Sequence, residues 1–206
     1  MLRLTGSDGA LSTADDVTVT VFSVGTPPNV LNLPIAASAD DGEERMSTGA
    51  VDLISGDNNL GYDSLVQQTV GLRFPGGALP QGVRITAAWV QFQVDEVSTE
   101  AAGLTFAGEA ADSAGAFTPT TRNLSTRLRT TTTMQWTPAP WPTLAERGAA
   151  QQTPDLAAVL QEIVNRPGWN TGNALALIVT GTGSRVAESY DGGIAKAPVL
   201  HIEWTP

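Results

Sequence analysis

The chain has 206 residues, 41% of them hydrophobic and only 16% charged, a balance that supplies a core and excludes a disordered chain. Its 21 acidic groups outnumber 11 basic ones, for a formal net charge of −10, so a polyanion is repelled unless a local patch reverses the field, and nucleic acid is not expected as a partner. Cysteine is absent, which removes disulfides, thiolate zinc sites and cysteine nucleophiles, and no apolar run approaches the roughly 18 residues a membrane span needs.

Among the basic residues only Lys196 is a lysine. A surface poor in lysine and rich in Asp, Ser, Thr and Gly suits a secreted or cell-surface protein. The opening "MLRLTGSDG" has no apolar h-region, so an exported form is expected to be part of something longer. Residues 2–22 carry two alternating apolar runs, Leu2 with Leu4 and then Val17, Val19 and Val21, around Gly- and Asp-rich turn chemistry, a hairpin-sized pair of strands. A lone hairpin is marginal in water. This stretch resembles the last two strands of a PKD-like or cadherin-like immunoglobulin-type repeat, where the phrasing "LRLTxSDGxLSxxDxVTVTV" is common. Residues 1–22 are accordingly expected to be the tail of a truncated repeat, with self-association through these strands as one outcome. "SVGTPPNVLNLP" (23–34) reads as a Pro-stiffened linker.

The main module is expected to span 35–206. Strand candidates follow at 50–54, 69–74, 83–95, 103–110, 174–180 and 198–204. In the longest, Ala88, Val90, Phe92 and Val94 share one face, the core face, and Trp89, Gln91, Gln93 and Asp95 share the other. The turns "PGGALPQG" (75–82) and "DGG" (191–193) punctuate an antiparallel sandwich. One segment breaks the pattern: "TPDLAAVLQEIVNRPGW" (153–169) reads as an amphipathic helix over about 154–166. Thr153 is its expected N-cap, Pro154 its first residue, and Leu156, Val159, Leu160, Ile163 and Val164 form one apolar stripe. A helix of that length does not persist alone. It must therefore pack on the sandwich, across an open end or edge. The expected fold is all-β: an antiparallel two-sheet β-sandwich, jelly-roll-like, with one α-helix in the C-terminal half packed on it.

The helix, the turn, the strand at 174–180, Ala187 to Ser189 and the last strand from Pro198 to Trp204 follow one another in a familiar order. That order resembles the closing part of DNRLRE-type domains, β-sandwich modules related to carbohydrate-binding modules. "VGLRF…ALPQGVRITAAWVQF" is similar to the front half of the same family. The resemblance covers 35–206 and implies a non-catalytic carbohydrate-binding module of a larger secreted bacterial protein, with a polysaccharide or cell-surface glycan as partner. Residues 111–150 have no counterpart in it. A structural or adhesive, fibre-forming sandwich is the alternative, and a carboxylate-dependent glycan-active enzyme the third.

Sugars stack their C–H faces on aromatic planes while amides and charged groups take their hydroxyls. The expected ligand-binding set is Trp89, Gln91 and Gln93 on a sheet face, Trp136 and Trp141 in the Pro-stiffened "QWTPAPWP", and Arg127 and Arg129, whose planar forks suit uronic or sulfated glycans. The bland readings stand beside these: a covered sheet face, Pro-Trp loops capping a sandwich end, and arginines that satisfy neighbouring acids. Trp204 is expected in the core and Trp169 as a plug at the helix end. Arg185, Glu188 and Asp191 are expected to form an internal network. Calcium takes six to eight oxygens from acidic, Gly-rich loops, so a structural calcium held by Asp41, Glu43, Glu44 and Asp57 is weighed against solvated turn acids. Asp57, Asn59 and Asp63 have alternate spacing, but Gly61 is misplaced for an EF-hand. The single histidine, His201, has no nucleophile motif nearby, so catalysis has no support.

Overall fold

Asp8 opens the first turn, where its Oδ1 accepts the backbone N–H groups of Leu11 and Ala10 at 2.7 and 2.9 Å. Those two bonds, Leu11 first, hold its carboxyl below the usual range. The flanking strands, β1 (Leu2–Ser7) and β2 (Ser12–Val17), pair antiparallel from Leu2–Val17 to Ser7–Ser12. The structure, a computed structural model, describes residues 2–17 and 27–206. Val19 and Val21 of the expected second strand lie outside the described residues.

The remaining strands, in chain order, are β3 (Asn29–Pro34), β4 (Asp41–Arg45), β5 (Ala50–Asp52), β6 (Asp57–Asp63), β7 (Val66–Phe74), β8 (Arg84–Gln91), β9 (Val94–Glu96), β10 (Gly103–Glu109) and β11 (Arg129–Trp136). The single α-helix, α1 (Ala157–Val164), precedes β12 (Leu175–Thr182), β13 (Ser184–Glu188) and β14 (Val199–Thr205). One layer runs β11-β10-β12-β7 and continues through β4 to β5. Strand β6 pairs with β7 only at the hairpin end, Tyr62 with Gln67 and Asp63 with Val66, and then leaves it to cross β12. From there β6, β13 and β9 form part of the second layer, which β3-β14-β8 completes. The chain is an all-β sandwich of antiparallel sheets with one helix, as its periodicity implied.

Gly183, at φ +70°, makes the one-residue step from β12 to β13. A side chain there would strain the backbone and meet Ala102. The core between the layers takes every residue of the expected inward face: Ala88, Val90, Phe92 and Val94 are all fully buried.

The helix does more than cover core. Strand β8 pairs with β14 on one edge, and its other edge has no strand partner. The chain from Trp141 to Leu156 runs along that edge, with backbone bonds linking Thr153 to Val90, Gln151 to Phe92 and Leu156 to Ala88. Where backbone runs out, side chains replace it. Thr153 Oγ1 accepts the Val90 N–H at 3.1 Å, Asp155 Oδ1 that of Ala88 at 2.9 Å, and Gln161 Oε1 that of Ile85 at 2.9 Å. The apolar stripe of Leu156, Val159, Leu160, Ile163 and Val164 is buried at 1% exposure or less. On β11, Glu162 closes another edge by accepting the N–H groups of Thr132 and Thr131, each at 2.8 Å.

These duties correct several expectations. The helix starts at Ala157, not near 154, because Thr153 spends its hydroxyl on β8; the residue at the cap position, Leu156, offers no side-chain cap. Residues 29–34 are not linker: they form β3, in register with β14 from Asn29–Trp204 to Pro34–Val199. Strands β4, β6, β11 and β13 are additional to those expected. The unread stretch 111–128 is a cover over the outer face of the first layer, where Ala114, Phe117 and Leu124 pack on Ala174, Ala176 and Ile178. Trp169 does plug the helix end, 1% exposed with its Nε1 donating to Leu79 O at 3.0 Å, whereas Trp204 is only partly buried.

Replacing Asp155 by Ala leaves the Ala88 and Ala157 N–H groups without their acceptor and is expected to lower stability by about 1–2 kcal/mol in urea denaturation, whereas Asp155→Asn retains most of it. Glu162 is held down at about pH 2 by its bonds to Thr132 and Thr131. Its stabilisation is complete above the unfolded value and fades as pH falls from about 4.5 to 2. Acid titration of Glu162→Gln is expected to show a shallower loss across that window.

Candidate functional site

Strand β6 leaves β7 on the edge opposite β4, and its Asp57–Asn59 part passes the inner side of β4 without pairing with it, leaving a gap. The gap is a groove of about 1040 Å³ between the β4–β5 hairpin and β6. Its floor carries Glu43, Gln68 and Asn59, and its walls carry Asp52, Asp57, Asp63 and Arg45, with Val51, Leu53 and the 75% exposed Ile54 as apolar surface. A smaller cavity of about 380 Å³ adjoins it across Asn59 and Asp63, bounded by Glu96, Ser98 and Glu100.

The acids reach the groove because β4 and β6 place every second residue on the same side. In β4, Asp41 and Glu43 pair in register with Leu72 and Val70 and so face inward beside them, while Glu44 faces the outer cover. Three of these carboxylates accept backbone N–H groups that no ladder satisfies, and Asp57 accepts from side chains. Glu43 Oε1 accepts the N–H of Asn59. Asp41 Oδ2 accepts the N–H of Tyr190 at 2.9 Å and the Asn58 amide at 3.1 Å. Glu44 Oε2 accepts the N–H groups of Leu124 and Ser125, both at 2.9 Å. Asp57 is bound by the Ser55 hydroxyl and the Asn59 amide.

Glu43 is 8% exposed, and burial raises its carboxyl to about 7, with Asp57 and Asp63 adding repulsion against the relief given by the Asn59 N–H. Asp41 is raised to about 6, again mainly by burial. Gln68 is 2% exposed, and its carboxamide has no hydrogen-bond partner among the described residues although it lines the groove. The floor thus offers an unspent amide beside a carboxyl that changes charge near neutrality.

The expected calcium quartet does not converge. Asp41, Glu43 and Glu44 are committed to different backbone amides, and Glu44 lies on the opposite face of β4. Among the described residues, the acids spaced to share a cation are Asp57, Asp95 and Glu96, a set that retains only one of the four. Lys196, paired with Glu188 at 2.7 Å, already offsets the charge near Asp95.

The expected aromatic pair is corrected outright. Trp136 is 6% exposed and Trp141 fully buried, each within about 6.3 Å of the Phe92 ring, so neither presents a face to a ligand. The "TPAPW" loop bends inward because buried Arg185 donates to its carbonyls, at 3.0 Å to both Pro138 and Ala139, and to Glu100 O at 2.7 Å. Arg185 therefore has backbone partners in place of the expected Glu188 and Asp191. Arg127 is also spent: it pairs with Glu109 at 2.7 Å, donates to the carbonyls of Gly115 and Ala116, and lies 4.5 Å above the Phe117 ring. Arg129 is exposed on β11, away from the groove.

Trp89 is half-buried on the outer face of β8, stacked on His201 at 3.9 Å, with His201 Nδ1 2.8 Å from Asn32 Oδ1. The Gln91 amide is tied to Gly148 O and Phe92 O, while half-buried Gln93 receives Glu188 N–H on its backbone carbonyl. None of the three lines the groove. The residues that do, Gln68, Asn59, Asp63 and Asp52, went unselected as a site; the alternate spacing of Asp57, Asn59 and Asp63 was the available signal, since it is the period of one strand face.

No protein-family model matches the chain, and no curated protein matches it by sequence.

Between about pH 4.5 and 7 the folded protein holds protons on Glu43 and Asp41 that the unfolded chain has released, so stability is full below that window and falls as pH rises through it. Melting temperature is expected to drop by several degrees, on the order of 5 °C, from pH 5 to 7.5, and Glu43→Gln is expected to flatten the slope. Trp141→Ala is expected to cost about 3–5 kcal/mol in denaturant unfolding, the signature of a core residue.

Proposed function

We propose that the chain is a non-catalytic carbohydrate-binding module of a larger exported protein, and that the groove between the β4–β5 hairpin and β6 is its binding surface. The groove itself carries the reading: about 1040 Å³ of open space flanked by carboxylates, the amides of Gln68 and Asn59, the hydroxyls of Thr48 and Ser55, and apolar Ile54 and Val51. Planar amides and carboxylates arranged around a small apolar surface are the donors and acceptors a sugar ring uses. A chain with a formal charge of −10 and acids concentrated at this opening disfavours polyanionic glycans, so neutral or cationic ones are the better fit. Such a module serves its parent by holding a neighbouring domain near an insoluble substrate, raising the effective concentration of each for the other. The order of helix, strand and last strand that resembles DNRLRE-type domains agrees with this role.

A second reading is a carboxylate-dependent glycan-active enzyme, favoured by one observation: Glu43, with its raised carboxyl, shares the groove with Asp57 and Asp63. A protonated acid beside an ionised one is the pairing glycoside hydrolysis uses.

Affinity electrophoresis in gels containing soluble neutral, anionic and amine-bearing polysaccharides separates the readings. Retardation by a neutral or amine-bearing glycan, reduced in Asp57→Asn, is expected, with no reducing ends released on overnight incubation. Absence of retardation on every glycan removes the binding reading, and reducing-end release that Glu43→Gln abolishes establishes the enzyme.

A further inference from the structure

The groove has an uneven distribution of charge and of satisfied hydrogen bonds, and the two together narrow its ligand. Four carboxylates line it, Glu43, Asp52, Asp57 and Asp63, against one guanidinium, Arg45, which lies 3.7 Å from Asp63 with both side chains well exposed. Asp63 also borders the smaller cavity toward Glu96 and Glu100, and among the described residues no cationic side chain lines that cavity. Lys196 is turned to Glu188. A neutral ligand would leave this excess of negative charge unanswered as it displaced water from the opening.

Gln68 supplies the second observation, independent of the acids. Its neighbours on the inner side of β7, Val70 and Leu72, are fully buried core, and Gln68 itself is 2% exposed. A buried carboxamide ordinarily has its hydrogen bonds made within the protein. Among the described residues Gln68 has none for its side chain, and the space it faces is the groove. On either side, Asn59 has its amide nitrogen on Asp57 and its backbone N–H on Glu43, which fixes Glu43 at the floor and Asp57 on the wall.

We infer that the groove floor of Gln68 and Glu43, with Asp57 on its wall, receives the ring of an amino sugar bearing a free amine, the ammonium seated between the carboxylates and a ring hydroxyl on the Gln68 carboxamide. The inference rests on the groove being a glycan site. It adds the chemical class: a deacetylated, cationic sugar unit in place of a neutral or N-acetylated one. An ammonium donates three hydrogen bonds, which the carboxylate oxygens and the Gln68 amide oxygen can accept, and the Gln68 amide N–H groups remain for a ring hydroxyl. An N-acetyl group removes that charge and adds bulk at the same point. The exposed side chain of Ile54 at the groove's edge lies where the C–H face of an adjoining unit would rest.

The test is isothermal titration calorimetry of the full chain at pH 6 and low salt, where an approaching ammonium displaces the proton that burial keeps on Glu43, with fully deacetylated glucosamine oligomers, N-acetylated oligomers of equal length, neutral gluco-oligomers and spermidine. Deacetylated oligomers are expected to bind at least 10-fold more tightly than the other three. Gln68→Met, of similar length but without the amide, and Asp57→Asn, on the more exposed wall, are each expected to weaken binding by about 10-fold. Melting curves verify that both variants are folded, and the Asp57 variant serves if the Gln68 variant is not. Neutral or N-acetylated oligomers binding as tightly as deacetylated ones, with the same dependence on Asp57, overturns the amino-sugar assignment and leaves the glycan-binding reading intact. Spermidine binding as tightly overturns the sugar part of the assignment. No binding by any oligomer overturns both.

Discussion

Backbone N–H groups that no strand ladder satisfies, at sheet edges and in the turns beside them, are the constraint around which this fold is arranged, and carboxylates are its principal answer to them. A buried amide without an acceptor costs about 1–3 kcal/mol, so each edge must be closed. Asp41 serves Tyr190, Glu43 serves Asn59, Glu44 serves Leu124 and Ser125, Asp155 serves Ala88, and Glu162 serves Thr131 and Thr132. The acidic bias of the composition is thus partly structural. It does not require a cation for every acid, because N–H dipoles answer several of them.

The helix belongs to the same scheme. An 8-residue helix has little independent stability, and its stripe of apolar residues explains why it packs. Its location follows from polar atoms: Thr153, Asp155 and Gln161 match the N–H groups of Val90, Ala88 and Ile85 on the open side of β8. Burial and edge closure therefore select the same position. An isolated strand edge of this kind invites pairing with another chain, and a helix laid along it removes that invitation.

The solution at β4 and β6 differs because β6 leaves the opposite edge of β7 and passes the inner side of β4 with no ladder between the two. The space between them is closed at depth by Glu43 and Asp41 and open above. Carboxylates required there for structure become the lining of the groove, and burial raises two of them toward neutrality. Structural satisfaction and ligand chemistry draw on the same side chains. Gln68 departs from that scheme: a buried amide whose side chain has no partner among the described residues, and which lines the opening.

Period-two and helical periodicity made the main strands, the inward face of Ala88, Val90, Phe92 and Val94, and the helical stripe legible from residues alone, since those patterns report which side of an element must leave water. Strands β4 and β6 escaped that reading because "DGEER" and "DNNLGYD" turn carboxylates and amides inward where apolar residues were sought. The ligand set was misjudged for a related reason: Trp136 and Trp141 lie in a Pro-rich stretch typical of exposed loops, and only Arg185, 47 positions from Pro138, draws that loop in. The use of each acid depended on a partner equally remote, as Asp41 depends on Tyr190, 149 positions away. Local sequence states that a side chain is an acceptor; which donor reaches it, and whether an atom is left over for a ligand, is decided only when distant strands meet.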